Sequence, residues 1–460
     1  MEKTTPFGIK DKIGYLFGDF GNDFTFLISS TFLLKFYTDV MKLDPYIVGL
    51  VMMSARFIDA FTDVFMGKIC DRSKTTPVGK FKPWIRRMCA PVAIASFLIY
   101  QSALADMSTA FKTVWLFVTY VLWGSIFYTS INIPYGSMAS AISAEPAHRQ
   151  SLSTFRTMGG TLAGLIVGAG VPLFAYKEVD SNTVMDGEVF TLIAGIFSVL
   201  AVVCYLICYH LTTERVKIKN TDHQKGNSLI STLHKAIKNR ALVSIIVASV
   251  VMLLSQLILQ SMANYIYPNY YGEPRAQTVA TLAMAVGMLL AALTVKPLSE
   301  RFGKAEISGG ASLVASIICA ILFFVRPENV WNYVLISLLA WYGLGIFAMV
   351  TWALITDVID YSEIKNGVRE DGSIYALYSF ARKLGQAAAA GLAGTLLTLI
   401  GYSDETAFDP EILTGIFSIA TGIPAVGFLV LALILFLWYP LKKKEVDKNV
   451  EILKNKYPPA

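Results

Sequence analysis

Arg215–Arg240, RVKIKNTDHQKGNSLISTLHKAIKNR, decides the fold. It is basic and polar, and it sits near the middle of a 460-residue chain whose remainder is dominated by apolar stretches. Each stretch is about 20 residues long, enough to cross a hydrocarbon core of roughly 30 Å. Six lie before the interval and six after it. The expected spans are 13–38, 46–69, 86–105, 111–140, 153–175 and 188–210, then 240–267, 276–297, 306–325, 330–358, 374–401 and 412–439.

Composition agrees. Hydrophobic residues make up 55% and charged residues 16%, with mean hydropathy +0.55. A soluble domain has about 45–50% and about 25%. One hydrophobic core stops growing near roughly 250–300 residues, yet no polar linkers divide this chain into soluble domains. The fold class expected is an all-α integral membrane protein of twelve helices in two six-helix bundles. Its parts are residues 1–210, a middle loop 211–239, residues 240–440 and a tail 441–460. The polar start MEKTTPFGIKDK has no apolar core or small-residue cleavage site, so the first stretch is expected to be a retained span.

Basic residues concentrate in alternate connections: Lys68–Arg87, the middle interval, VKPLSERFGK, EIKNGVRE and the tail LKKKEVDK. The opposite connections, KLDPY, ALADMST, RPEN and GYSDETAFDP, are poor in Lys and Arg. The positive-inside rule then places both termini in the cytoplasm of a bacterial inner membrane. The net charge of +6 is read as an orientation signal, and no nucleic-acid partner is expected. The five cysteines, Cys70, Cys89, Cys204, Cys208 and Cys319, show no metal spacing and read as small buried side chains.

An ionisable group at membrane depth costs at least about 2.5–3.5 kcal/mol, so each needs a partner, water or a function. Arg56, Asp59 and Asp63 fall at i, i+3 and i+7 on one helical face. Two carboxylates with one arginine leave negative charge that a proton or a monovalent cation can cancel. Packing salt bridges are the plainer alternative, especially for Arg56. Asp19 and Asp23 lie one turn apart beside Asn22, Arg156 opens the fifth span, and Lys383 approaches mid-membrane in the eleventh next to Arg382. Asn132 stands before Pro134, where the fourth helix is expected to break. Gln256, Gln260 and Asn264 form a stripe suited to helix–helix hydrogen bonds. Tyr128, Trp352, Tyr375 and Tyr378 offer flat faces for sugar rings or for packing.

Asp71 and Arg72, with Gly79-Lys80 after them, echo Glu300-Arg301 and Gly303-Lys304 in the second half. This points to duplication, the parallel-repeat plan of major facilitator transporters with a solute site near the midplane. Asp71, Arg72, Asp357, Asp360, Glu363 and Arg369 read as a cytoplasmic gate of acid–base pairs. No GxxxxGK[ST] loop is present, so ATP is not expected as the energy source. The four histidines pair with no nucleophile, so no enzyme is expected.

The motifs GDFGNDF, YTDV, ARFIDAFTDVFMG, GKFKPW, NIPYGS, TDVIDYSEIKNGVR and SFARKLGQ together resemble the glycoside–pentoside–hexuronide:cation symporters, a branch of the major facilitator superfamily. The resemblance spans nearly the whole chain, and NIPYGS, SFARKLGQ and the late WYPL are similar to its glucuronide-carrying members. It implies a secondary active symporter that imports a glycoside with H+ or Na+ by alternating access, needs no other cofactor, and acts as a monomer in lipid. It implies a cation site at Asp59, Asp63, Thr129 and Asn132, and sugar binding by Asp23, Tyr128, Asn132, Arg156 and Lys383. Asn132 stands where melibiose-transporting members have an aspartate, and Thr62 where they have an asparagine, so sodium coupling is not implied over proton coupling. A xyloside, galactoside or other sugar substrate, an exporter, and a non-transporting solute sensor are the alternatives.

Overall fold

The computed structural model describes residues 6–216, 239–366 and 371–456. Among them are twelve long helices: α1 (Ile9–Lys35), α2 (Pro45–Arg72), α3 (Lys82–Ile99), α4 (Thr109–Ile142), α5 (Pro146–Phe174) and α6 (Gly187–Leu211), then α7 (Arg240–Tyr265), α8 (Pro274–Phe302), α9 (Lys304–Val325), α10 (Val330–Asn366), α11 (Asp371–Leu399) and α12 (Pro410–Leu433). A thirteenth, α13 (Lys443–Lys456), is amphipathic and follows the last span. Polar side-chain caps start α2, α4, α6 and α7. Asp44 accepts from the Tyr46 N–H with Pro45 at the first turn, and Asp186 and Asn239 cap α6 and α7 in the same way.

Eight helices, α4 to α10 and α12, are long and apolar enough to span a membrane on composition alone. The other four, α1, α2, α3 and α11, carry Asp19 and Asp23, Arg56 to Asp63, Lys82 to Arg87, and Arg382-Lys383. Their low hydropathy has the same origin as their interest: lipid-length helices that spend apolar positions on charge.

One expectation needs correction. Pro134 does not break the fourth helix; α4 continues through it to Ile142, and its irregularity lies earlier, as a π-helical stretch at Leu122–Tyr128. Among the described residues, a small antiparallel hairpin, β1 (Tyr176–Val179) with β2 (Asn182–Met185), joins α5 to α6 within this helical fold. Asp180 and Ser181 both take positive φ there, 50° and 68°, as a two-residue hairpin turn requires.

The chain divides into two compact units, Met1–Asp222 with Gly394–Asp409, and His223–Ala393 with Pro410–Ala460. In the first, α1 packs along α5 and α6, α3 along α6, and α2 along α4. In the second, α7 packs along α12, α9 along α12, and α8 along α10. The pairings 1–6, 3–6 and 2–4 thus recur as 7–12, 9–12 and 8–10, which is the duplication hinted at by the two Gly-Lys motifs. The core of the second unit is built around Phe347, Leu354, Tyr378, Phe428 and Leu435.

Glycine permits a close approach of α5 to α1: a methyl on Gly159 would run into the Leu16 carbonyl of α1. A Gly159→Val variant should separate α1 from α5, lower the melting temperature in detergent and reduce yield.

The segment Gly394–Asp409 is held to the first unit by a buried ionic cluster. Lys35 Nζ, 1% exposed, lies 2.6 Å from Asp39 Oδ2 and donates to Tyr402 Oη at 3.1 Å, while Tyr402 donates to Asp39 Oδ1 at 2.7 Å. At the surface, Lys42 pairs with Asp404 at 3.0 Å, and that hydrogen-bonded carboxylate raises the Lys42 ammonium above its usual value. Lys35→Ala would strand a buried carboxylate, at a cost of about 3–5 kcal/mol. The expected result is a clear fall in thermal stability, largely relieved in the double variant Lys35→Ala/Asp39→Ala.

Candidate functional site

Asp59 and Asp63 sit one turn apart on the middle of α2, opposite the π-helical stretch of α4. A π bulge widens the helix by one residue and here aims two hydroxyls at the two acids. Ser125 donates to Asp59 Oδ1. Thr129 Oγ1 lies 2.8 Å from Asp63 Oδ1 and 3.1 Å from the Gly124 carbonyl oxygen. Gly124 leaves room for Asp59, whose Oδ1 would lie 3.4 Å from a methyl there. Arg56 lies close by: its Nη1 stands 3.6 Å from Asp59 Oδ2 while its guanidinium covers the Phe26 ring at 4.9 Å. The result is a half-buried array of hard oxygens, two carboxylates with two hydroxyls and a carbonyl. Such a set suits a proton or a small monovalent cation. Among the described residues no group of three or more His, Cys, Asp or Glu side chains is placed to hold a metal ion.

A second polar cluster joins α1 to α5. Arg156 Nε donates to Asp19 Oδ1 at 2.9 Å, and the guanidinium lies 5.2 Å from the Tyr135 ring centre. Tyr135 stacks on Tyr15, and each hydroxyl donates to the other's backbone carbonyl. This places the arginine on a rigid aromatic floor. Asp19 and Asp23 both lean over Gly160, where a methyl would stand 3.0 Å and 2.6 Å from their carboxyl oxygens. Asp23 accepts no hydrogen bond among the described residues. Deeper in the unit, Tyr205 donates to Asn22 Oδ1 at 2.8 Å, and Asn22 donates to Asn132 Oδ1 at 3.3 Å. Tyr128 stacks with Phe26 at 5.8 Å and meets Trp123 at 5.5 Å, so one aromatic wall passes beside Arg56.

A family model described as MFS/sugar transport protein matches residues 14–443. The chain belongs to that family. It falls within the glycoside–pentoside–hexuronide branch, as its relatives indicate. It is 30% identical to a protein of Escherichia coli (strain K12) named glucuronide carrier protein homolog, over 96% of this chain and 95% of that one. It is also 30% identical to the isoprimeverose transporter of Lactiplantibacillus pentosus, over 95% of this chain and 89% of that one. The crystal structure of a D-xylose-proton symporter superposes with a TM-score of 0.59 at 15% identity, covering 95% of this chain and 98% of the other, a likeness of fold. The protein is therefore a multi-pass membrane transporter of the major facilitator fold, and its relatives are transporters rather than enzymes.

The structure gives several candidate residues of this MFS transporter defined neighbours. The partner of Arg156 is Asp19, which leaves Asp23 as the open acid of the cluster. Ser125 was not singled out by sequence, although Gly124-Ser125 in an otherwise aromatic stretch is the signal that could have found it. Asn132 is tied to Asn22 rather than to the carboxylates of α2. In the second unit, Lys383 lies on α11 beside Arg382, which donates to Tyr378 Oη at 3.3 Å and covers Trp352 at 5.6 Å. The Tyr375 side chain lies outside the described residues.

Of the gate residues, Asp357 is paired within its own unit to Lys304 at 2.6 Å. Glu363 is buried and Asp360 half-buried on the same turn of α10, while Arg72 is exposed at the end of α2. Arg369 and the side chain of Asp71 lie outside the described residues. In the α7 stripe, Asn264 accepts from Gln277 of α8 at 2.8 Å, the helix–helix bond expected for it.

Proposed function

We propose that the protein is a secondary active symporter that imports a glycoside, a glucuronide or related sugar conjugate, with H+ or Na+ across the inner membrane, both termini being cytoplasmic. The observation that carries this is the Asp59–Asp63 pair, two acids at membrane depth beside the hydroxyls of Ser125 and Thr129 and the guanidinium of Arg56. Each carboxylate of the pair carries negative charge that a cation or proton can take up. A bound cation cancels it and changes the relative free energy of the carrier's states, and differential affinity between states is all that coupling requires. Asp23 and the Asp19–Arg156 pair would meet the sugar, with Tyr128 and Asn132 beside them and Lys383 in the role the resemblance implies. The acids of α10 and the loop after α2 would gate the cytoplasmic side.

One observation favours a neutral glycoside, such as a xyloside, over a glucuronide. Arg156 already shares its charge with Asp19, whereas Asp23 has carboxyl oxygens to offer sugar hydroxyls. Uptake into vesicles of the purified protein, with sodium and proton gradients imposed separately, tests both points. One gradient should concentrate a labelled glucuronide or xyloside above equilibrium. Uptake that never exceeds equilibrium under either gradient would exclude symport of those sugars.

A further inference from the structure

α3 and α6 lie side by side in the first unit and leave a long groove on its surface. Its apolar part, about 840 Å³, is lined by Ala90, Ile94 and Phe97 of α3 and by Leu192, Ile196 and Val199 of α6. The trough exists because small residues face each other there; Gly195 lies against the edge of the Phe97 ring, 3.3 Å from where a methyl would be. Ile94, Leu192 and Val199 are each about 60% exposed, at 59%, 64% and 64%.

One helical turn nearer the start of α3, a second hollow of about 490 Å³ changes character. It is lined by Lys82, Arg86, Tyr209 and His210, with Val78 and Leu206. Lys82 Nζ donates to the Thr212 carbonyl at 2.6 Å and covers the Tyr209 ring at 5.0 Å, and the Arg86 guanidinium lies 5.7 Å from the same ring. Among the described residues no acidic side chain lines this hollow. The nearby acid, Glu214, is occupied by the backbone N–H groups of Lys80, Phe81 and Lys82 at 2.7, 2.9 and 2.8 Å. Arg86 has no carboxylate partner among the described residues.

Length fits one leaflet. From Arg86 to Phe97 the helix rises roughly 16 Å, close to half of a hydrocarbon core of roughly 30 Å. The charged hollow lies at the end of the bundle that carries the basic connections, and Tyr209 sits where an amphipathic ring meets headgroups. Arg matches phosphate oxygens in a two-pronged contact, and basic pockets between spanning helices hold anionic headgroups.

We propose that this groove is a binding site for one anionic phospholipid, its phosphate held by Lys82, Arg86 and His210 and an acyl chain lying in the trough. Native mass spectrometry of the detergent-solubilised full chain tests it, with phosphatidylglycerol, phosphatidylcholine of the same chains, and inorganic phosphate as probes. Phosphatidylglycerol should be retained at least tenfold more than phosphatidylcholine, and millimolar phosphate should neither bind nor raise the melting temperature. Arg86→Gln should weaken phosphatidylglycerol retention roughly fivefold with the lipid-free melting temperature unchanged, and Arg86→Lys should keep most of it. Ala90→Trp should weaken both lipids by filling the trough. Equal retention of the two lipids, or an unchanged preference in Arg86→Gln, would overturn the headgroup assignment. Stabilisation by phosphate alone as strong as by phosphatidylglycerol would make the hollow a free-anion site instead.

Discussion

Asp63→Asn should abolish gradient-driven accumulation while downhill exchange of solute continues. Asparagine keeps the shape of the side chain and its oxygen can still accept from Thr129, 2.8 Å away in the native protein. What it removes is the charge. Asp63 supplies one of the two carboxylate charges that draw a cation into the pair, the other being that of Asp59 beside Arg56. A gradient of 100 mV stores about 2.3 kcal/mol per elementary charge, enough for roughly fifty-fold accumulation with one coupled ion. That factor should fall to one in Asp63→Asn, read as the steady-state ratio of labelled solute inside and outside vesicles. Asp59→Asn should give the same loss, and it also leaves Arg56 without its acid, so a lower melting temperature is expected as well. Full accumulation by both variants would remove the pair from the coupling step.

Most of the fold could be read from the chain because lipid imposes a length and a composition on every span. Even α1, α2, α3 and α11, whose charged residues keep them below a strict hydropathy threshold, were legible as apolar stretches of lipid-crossing length. Helix ends were less so. α1 begins at Ile9 and α10 runs to Asn366, past the limits that hydropathy marks, since a helix continues into its polar turn whenever caps and packing hold it. The π stretch of α4 left no clear trace, because its stabilisation is tertiary: Ser125 and Thr129 bond to Asp59 and Asp63 on another helix. Pro134 misled for the matching reason. Proline removes one N–H, but neighbouring helices can support the turn it weakens. In the site, residue types were legible and partners were not. α5 contains no acid of its own, so only packing could show that Arg156 meets Asp19 across a contact that Gly159 and Gly160 make close.

That contact raises a choice between structure and recognition for Arg156, and a pair of variants separates them. Arg156→Gln leaves Asp19 and Asp23 one turn apart above Gly160 with no cation beside them. Repulsion and the lost charged hydrogen bond, worth about 1.5–3 kcal/mol, should lower the melting temperature and weaken solute binding together. Adding Asp19→Asn removes the unmatched charge, and an Asn–Gln pair can restore one hydrogen bond across the helices. Stability should therefore return towards that of the native protein. If the guanidinium also touches the solute, binding in the double variant should stay about 10- to 100-fold weaker, measured by equilibrium binding of a labelled glycoside. Recovery of both properties in Asp19→Asn/Arg156→Gln would make Arg156 a packing partner and leave Asp23 as the sugar-binding charge on α1. Asp23→Asn then completes the comparison. It disturbs no hydrogen bond among the described residues, so it should leave the melting temperature unchanged while it weakens binding of a hydroxyl-rich sugar.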